Sequence, residues 1–135
     1  MKRKEARAEA MKLVFESAFR SEEAPAEIYA GAAELRGFGD DEYIKNVFFG
    51  VEENLGFIDG KIAAHSKGWS TGRISKVAMA VMRVAVYEIC FREDIPGSVA
   101  VNEAIELIRT YDDENAVRKF VNGILNSVLK EKEGS

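Results

Sequence analysis

One cysteine, two prolines and one histidine occur among 135 residues, and each scarcity removes a class of protein. With Cys90 alone no intramolecular disulfide can close, and there is no thiol cluster to hold zinc or an iron–sulfur centre. Its position inside the hydrophobic run VAVYEICF marks Cys90 as a small buried apolar residue rather than a nucleophile. His65 stands beside Ser66 and Lys67, with no nucleophile or carboxylate placed by motif to make a triad, and it reads as a solvated helix-end residue. Glycine-rich phosphate loops are missing, and the doublets Asp40-Asp41 and Asp112-Asp113 fit helix caps better than an acid and base pair. No catalytic residue, metal ligand or cofactor is therefore expected. No run approaches the roughly 20 apolar residues that cross a bilayer. The start, MKRKEARAEAMKLVF, carries charges where a secretory signal needs an apolar stretch, so a cytoplasmic protein without membrane contact is expected.

What is present is enough for one core. Hydrophobic residues at 47% can fill it while charged residues at 31% keep the outside in water, and the length suits a single domain over residues 1–135. The net charge of −4 is unevenly spread: residues 1–20 hold six basic against three acidic side chains, whereas residues 21–60 hold two basic against ten acidic. An anionic polymer would be drawn to the first segment and repelled by the second.

Few prolines and no alternating apolar and polar runs predict an all-α fold. The first helix is expected from about Lys4 to Phe19, turning Ala6, Ala10, Leu13, Val14 and Ser17 inward. Pro25 suits the first turn of a second helix, which continues through Ile28 and Leu35 until Gly37 and Gly39 break it. Asp40 and Asp41 can cap a long pattern running through Ile44, Val47, Phe48, Val51, Leu55, Ile58 and Ile62, with a bend expected near Gly56 or Gly60. Phe48-Phe49 read as core. Gly68 and Gly72 frame a turn around Trp69, itself read as a core or inter-helix plug. From Arg73 to Phe91 apolar residues surround the axis, which predicts a buried central helix, and Arg83 within it needs a partner such as Glu103 or Glu106. Ser98 can cap the helix carrying Val101, Ala104, Ile105 and Ile108, and Asp112 to Asn115 interrupt it. The stripe of Val117, Phe120, Val121, Ile124, Leu125, Val128 and Leu129 predicts the last helix, with Lys130 and Lys132 suited to its carboxyl end. The sum is a compact bundle of six to seven helices.

One feature of the pattern points to a ligand. At 100° per residue Lys4, Arg7, Met11 and Phe15 fall along one edge of the first helix, an edge both basic and aromatic. Cations that hold phosphates beside a ring that stacks on an unpaired base are the means by which proteins bind single-stranded RNA. A solvated basic helix with Phe15 packed on a neighbour leaves the same trace, and spacing alone leaves both readings open.

Longer stretches carry a resemblance. The order Arg7…Ala10…Leu13…Phe15, then Ile58-Asp59…Ile62…Trp69, then Val81-Met82-Arg83-Val84-Ala85-Val86-Tyr87-Glu88 resembles the NusB family of bacterial antitermination factors. So do Asp94-Ile95-Pro96, Val101-Asn102-Glu103-Ala104-Ile105-Glu106-Leu107 and Lys119-Phe120-Val121-Asn122-Gly123-Ile124-Leu125. The resemblance runs nearly end to end. It implies about seven helices in two packed helical sub-bundles and no enzymatic activity. It also implies an RNA ligand of the boxA type and a protein partner, NusE, which is also a small-subunit ribosomal protein. Such a complex helps RNA polymerase read through terminators, notably in ribosomal RNA operons. Carried over by position, the RNA-binding residues fall on Arg3, Lys4, Arg7, Phe15, Lys119 and Phe120. Two departures stand out: Ala78 and Met79 occupy positions where many relatives have an acidic and a basic residue, and the loop from Tyr111 to Lys119 is about one residue longer than usual. Asn122 and Gly123 are assigned to helix packing. Two other readings remain open on sequence alone, an RNA-binding module of an RNA-modification system and a helical scaffold that binds only proteins. Whether the free chain forms a homodimer is also left open.

Overall fold

A computed structural model describes residues 1–68 and 74–134; Trp69, Gly72 and Arg73, and with them the expected turn and plug, lie outside the described residues. Seven α-helices and no strand occur among the described residues: α1 (Arg3–Ala18), α2 (Pro25–Arg36), α3 (Glu42–Glu53), α4 (Leu55–Ala64), α5 (Lys76–Phe91), α6 (Gly97–Tyr111) and α7 (Asn115–Glu133). Local chemistry sets most of these boundaries. Pro25 opens α2, and Gly37 closes it in the left-handed region at φ 71°, donating its N–H to Ala33 O. Asp41 caps α3 by accepting from the Ile44 N–H, and Ser75 caps α5 by accepting from the Ala78 N–H.

Two expectations change at this level. The long pattern divides at Asn54, not at Gly56 or Gly60: the Asn54 amide donates to Gly50 O at 2.8 Å, an extra bond to a carbonyl at the end of α3, and the glycines simply continue α4. Ser98 lies inside the first turn of α6, because Pro96 is already the cap residue and its carbonyl accepts from Val99 and Ala100 N–H. Leu35 is 84% exposed. Its neighbour Arg36 faces α1 instead, pairing with Glu9 and Glu16 at 2.7 Å each, and a step of 100° then turns Leu35 to solvent.

Helices α1, α2 and α3 pack on one another, and α4 to α7 form a second group. Helix α5 belongs to both, touching α1 and α3 on one side and α4, α6 and α7 on the other. That position explains why its apolar residues surround the axis: Ala78, Val81, Met82, Val84, Ala85, Val86 and Ile89 are all buried. Arg83 escapes the core by reaching α4, where its Nε and Nη2 meet the two Asp59 carboxylate oxygens at 2.8 and 2.9 Å. This corrects the expected pairing, since Glu106 instead holds Arg109 and Glu103 turns toward Arg7. No helix among the described residues is long and apolar enough to cross a membrane.

The capping assignment is open to test by urea denaturation. Ser75→Ala is expected to lower stability by about 1 kcal/mol, whereas Ser98→Ala should stay within about 0.5 kcal/mol of the parent chain. The reverse ranking would place the caps wrongly.

Candidate RNA and partner surfaces

Arg7 recurs three, four and seven residues before Ala10, Met11 and Val14, all of them buried, so helical periodicity carries its side chain inward with theirs. It is 4% exposed. A guanidinium cannot be left there uncompensated, and Glu88 of α5, 0% exposed, supplies the countercharge. Arg7 Nε lies 3.0 and 3.2 Å from the two Glu88 oxygens, and Nη2 lies 2.9 Å from Oε2. Tyr43 of α3 donates its hydroxyl to the same carboxylate at 2.9 Å. One carboxylate thereby joins α1, α3 and α5 at the centre of the first group of helices. Burial, then repulsion from Glu88, pushes the Tyr43 phenol well above its usual range, so its hydroxyl remains a donor across physiological pH. Burial works against the Arg7 charge, but the hydrogen bonds and attraction of Glu88 outweigh it and hold the guanidinium above its ordinary pKa.

The Tyr43 ring is also ringed by cations. The guanidinium carbons of Arg3, Arg92 and Arg7 lie 4.4, 5.2 and 5.7 Å from its centroid. Arg92 is held in turn by Asp94, at 2.7 and 3.1 Å, which lowers the Asp94 carboxyl below the usual range. Arg3 and Lys4 are exposed at the start of α1, and no carboxylate among the described residues lies within 4 Å of their charged nitrogens. Lys119 is likewise exposed on α7 without an ion pair among the described residues. It lines a groove of about 590 Å³ between α6 and α7 with Asn102, Ile105, Arg109, Arg118 and Asn122. A second groove, between α1 and α6, is lined by Lys4, Ala8, Leu107 and Tyr111. Glu106 lines both.

Of the six residues singled out by resemblance, Lys4 and Lys119 line these grooves, while Arg3 lines a third with Tyr43, Arg92 and Asp94. The other three are placed differently. Arg7 is withdrawn and committed to Glu88. Phe120 is buried, inside the stripe that packs α7. Phe15 is half-buried at the other end of α1, twelve residues or about 18 Å from Arg3 at 1.5 Å per residue. Its ring meets Phe19 edge-on at 5.1 Å and lines a separate groove with Leu55, Met79, Ala80 and Arg83. The expected single basic and aromatic edge is thus two surfaces, one at the cationic start of α1 and one around Phe15, because Arg7 and Met11 between them face the core. Sequence reasoning missed Glu88 as the partner of Arg7, although a lone carboxylate inside the most apolar helix calls for a cation. It also missed Tyr111, whose only signal is an aromatic ring at a helix end among charged neighbours.

Three comparisons bear on these surfaces. Residues 4–130 match the family model described as the NusB family. Transcription antitermination protein NusB of Clostridium acetobutylicum is 40% identical over 135 residues, which cover 98% of each chain. Among solved structures, NusB of T. maritima superposes with a TM-score of 0.81 at 34% identity, covering 100% of this chain and 99% of that one. A structure of antitermination factors NusB and NusE in complex with dsRNA superposes with a TM-score of 0.83 at 27% identity, covering 96% of each chain.

Removing one half of the buried pair should be severe. Arg7→Leu leaves the Glu88 carboxylate buried with only Tyr43 as a donor and is expected to cost about 3–5 kcal/mol of stability. Replacing both residues, Arg7→Leu with Glu88→Leu, should recover much of that loss, since the stranded charge is gone. Urea melts of the two variants decide it: a single variant as stable as the parent would mean that the pair constrains nothing.

Proposed function

Because the chain belongs to the NusB family, by a match over residues 4–130, we propose that it is an antitermination factor binding boxA-type single-stranded RNA together with a NusE-type ribosomal protein. In this reading the complex joins RNA polymerase and promotes read-through in ribosomal RNA operons, and the chain catalyses nothing. The observation that carries it is the placement of Lys4 and Lys119, cations without carboxylate partners, on two grooves that share Glu106 in a molecule whose net charge is −4, with Arg3 next to Lys4 at the start of α1. Phosphates are the natural counterions for such a surface, and the strongly acidic stretch, residues 21–60, runs from the linker before α2 through α3 to the start of α4 and lines neither groove.

The six residues then divide their work. Arg3, Lys4 and Lys119 neutralise phosphates. Arg7 acts from beneath, fixing the rotation of α1 through Glu88 so that Lys4 faces out. Phe120 seats the turn of α7 that presents Lys119. Phe15 belongs to the partner surface, a mixed groove that it lines with Leu55, Met79, Arg20, Glu52 and Lys76, and Phe19 beside it is 60% exposed. Apolar side chains rimmed by charges of both signs fit a protein partner better than a polyanion. Met79 gives that groove a neutral side chain, whereas Ala78 is buried.

The test is a titration of labelled boxA RNA, single-stranded and double-stranded, with and without NusE, across a salt series. With three phosphate contacts the log-log slope for single-stranded RNA should be about −2, from roughly 0.7 per contact. Lys4→Ala and Lys119→Ala should each flatten it by about 0.7. Phe15→Ala should leave RNA binding by the isolated chain intact while weakening capture of NusE. Affinity indifferent to salt and to both lysines would leave the protein-only scaffold as the better account.

A further inference from the structure

Tyr111 ends α6 with 42% of its surface exposed. Its ring contacts no other aromatic ring, and its hydroxyl has no hydrogen-bond partner among the described residues. Packing therefore does not explain its position. Side chains of α1 and α6 reach each other here: Arg7 Nη1 faces Glu103 at 3.8 Å, and five residues on Lys12 Nζ lies 5.8 Å from the Tyr111 ring centroid. Between them is a groove of about 220 Å³ whose walls include the apolar side chains of Ala8 and Leu107. Lys4 stands along it and Lys12 near the tyrosine end. Most carboxylates nearby are already engaged, Glu9 with Lys12 and Arg36, Glu106 with Arg109, and Glu103 toward Arg7; Glu5 is the one at the groove without a cation within 4 Å.

We propose that Tyr111 is the base-stacking platform of the RNA surface: one unpaired base enters the groove between α1 and α6 and lies against the exposed ring, while Lys4 and Lys12 hold flanking phosphates. An apolar slot ending in an exposed ring that stacks on no other aromatic and is flanked by ammonium groups suits a flat, neutral base on an anionic backbone. A chain leaving the slot passes Glu106 into the groove lined by Arg109, Arg118 and Lys119, which makes the two grooves one track. The role that the sequence pattern offered to Phe15 thereby passes to a ring that the fold sets among the cations. This inference rests on the RNA-binding reading above and adds the residue that makes unpaired RNA preferable to duplex.

The experiment uses the full chain and the same labelled single-stranded RNA. Tyr111→Ala should weaken binding about 5- to 150-fold with no change in the salt slope, since stacking releases no counterion, and Tyr111→Phe should bind like the parent. A series of RNAs each carrying one abasic nucleotide should reveal one position whose loss matters to the parent and not to Tyr111→Ala. Circular dichroism and melting temperature should be unchanged in both variants. If the parent binds RNA and Tyr111→Ala binds equally well, the stacking assignment is overturned while the RNA reading stands. If Tyr111→Ala loses NusE capture but keeps RNA affinity, the groove is a protein site and the assignment is again overturned. If the parent binds no RNA, both readings fall together.

Discussion

A carboxylate buried to the exclusion of solvent must be answered by a cation, and in this fold that demand falls on a single place. Glu88 sits in the helix that touches nearly every other, and it is satisfied only when Arg7 of α1 and Tyr43 of α3 arrive together. Such a pair contributes little net stability compared with apolar residues of the same volume, because desolvating two ions consumes most of their attraction. What it provides is selectivity. A rotation of α1 that would bury Lys4 in place of Arg7 leaves Glu88 facing methyl groups, and a shift of α3 removes the phenol. The outward direction of the neighbouring cations follows from the inward direction of one.

The two groups of helices share α5, and this arrangement sorts the surface by charge. Half of the acidic excess of residues 21–60 sits in the linkers before α2 and α3, at Glu22, Glu23, Asp40 and Asp41, while α1, α6 and α7 border the grooves where Lys4, Lys119 and Arg109 stand. Salt links such as Arg83 with Asp59 and Arg36 with Glu9 and Glu16 join neighbouring helices at the edges. Each is partly exposed, so each adds modestly to stability; they fix the facing of one helix on the next more than they hold it there.

Features decided within one turn of chain were legible in the sequence. Pro25 marks a helix start by its fixed backbone angle, Gly37 and Asp41 mark helix ends by bonds to residues three or four positions away, and the stripe of α7 declared its buried face without ambiguity. Misreadings arose where the deciding partner is distant. Ser98 resembles a cap until Pro96 is seen to occupy that place. Arg83 had carboxylates available on α6, but the side of α5 that it occupies faces α4. The largest misreading concerned Arg7. A helix whose buried stripe includes an arginine shows almost no contrast between its apolar and polar sides, and only tertiary context reveals which charge is inside. The same blindness hid Tyr111, which gains meaning from Lys12, nearly one hundred residues away in the chain.

Helix α1 spans the molecule with cations at its first turn and an aromatic groove at its fourth, roughly 18 Å apart. In the proposed reading a polyanion and a protein partner occupy separate volumes at the two ends, so neither displaces the other. The ternary assembly then forms by independent routes around a closed thermodynamic cycle. Any mutual strengthening must come from contact between the two ligands themselves or from a stiffening of the rod between them.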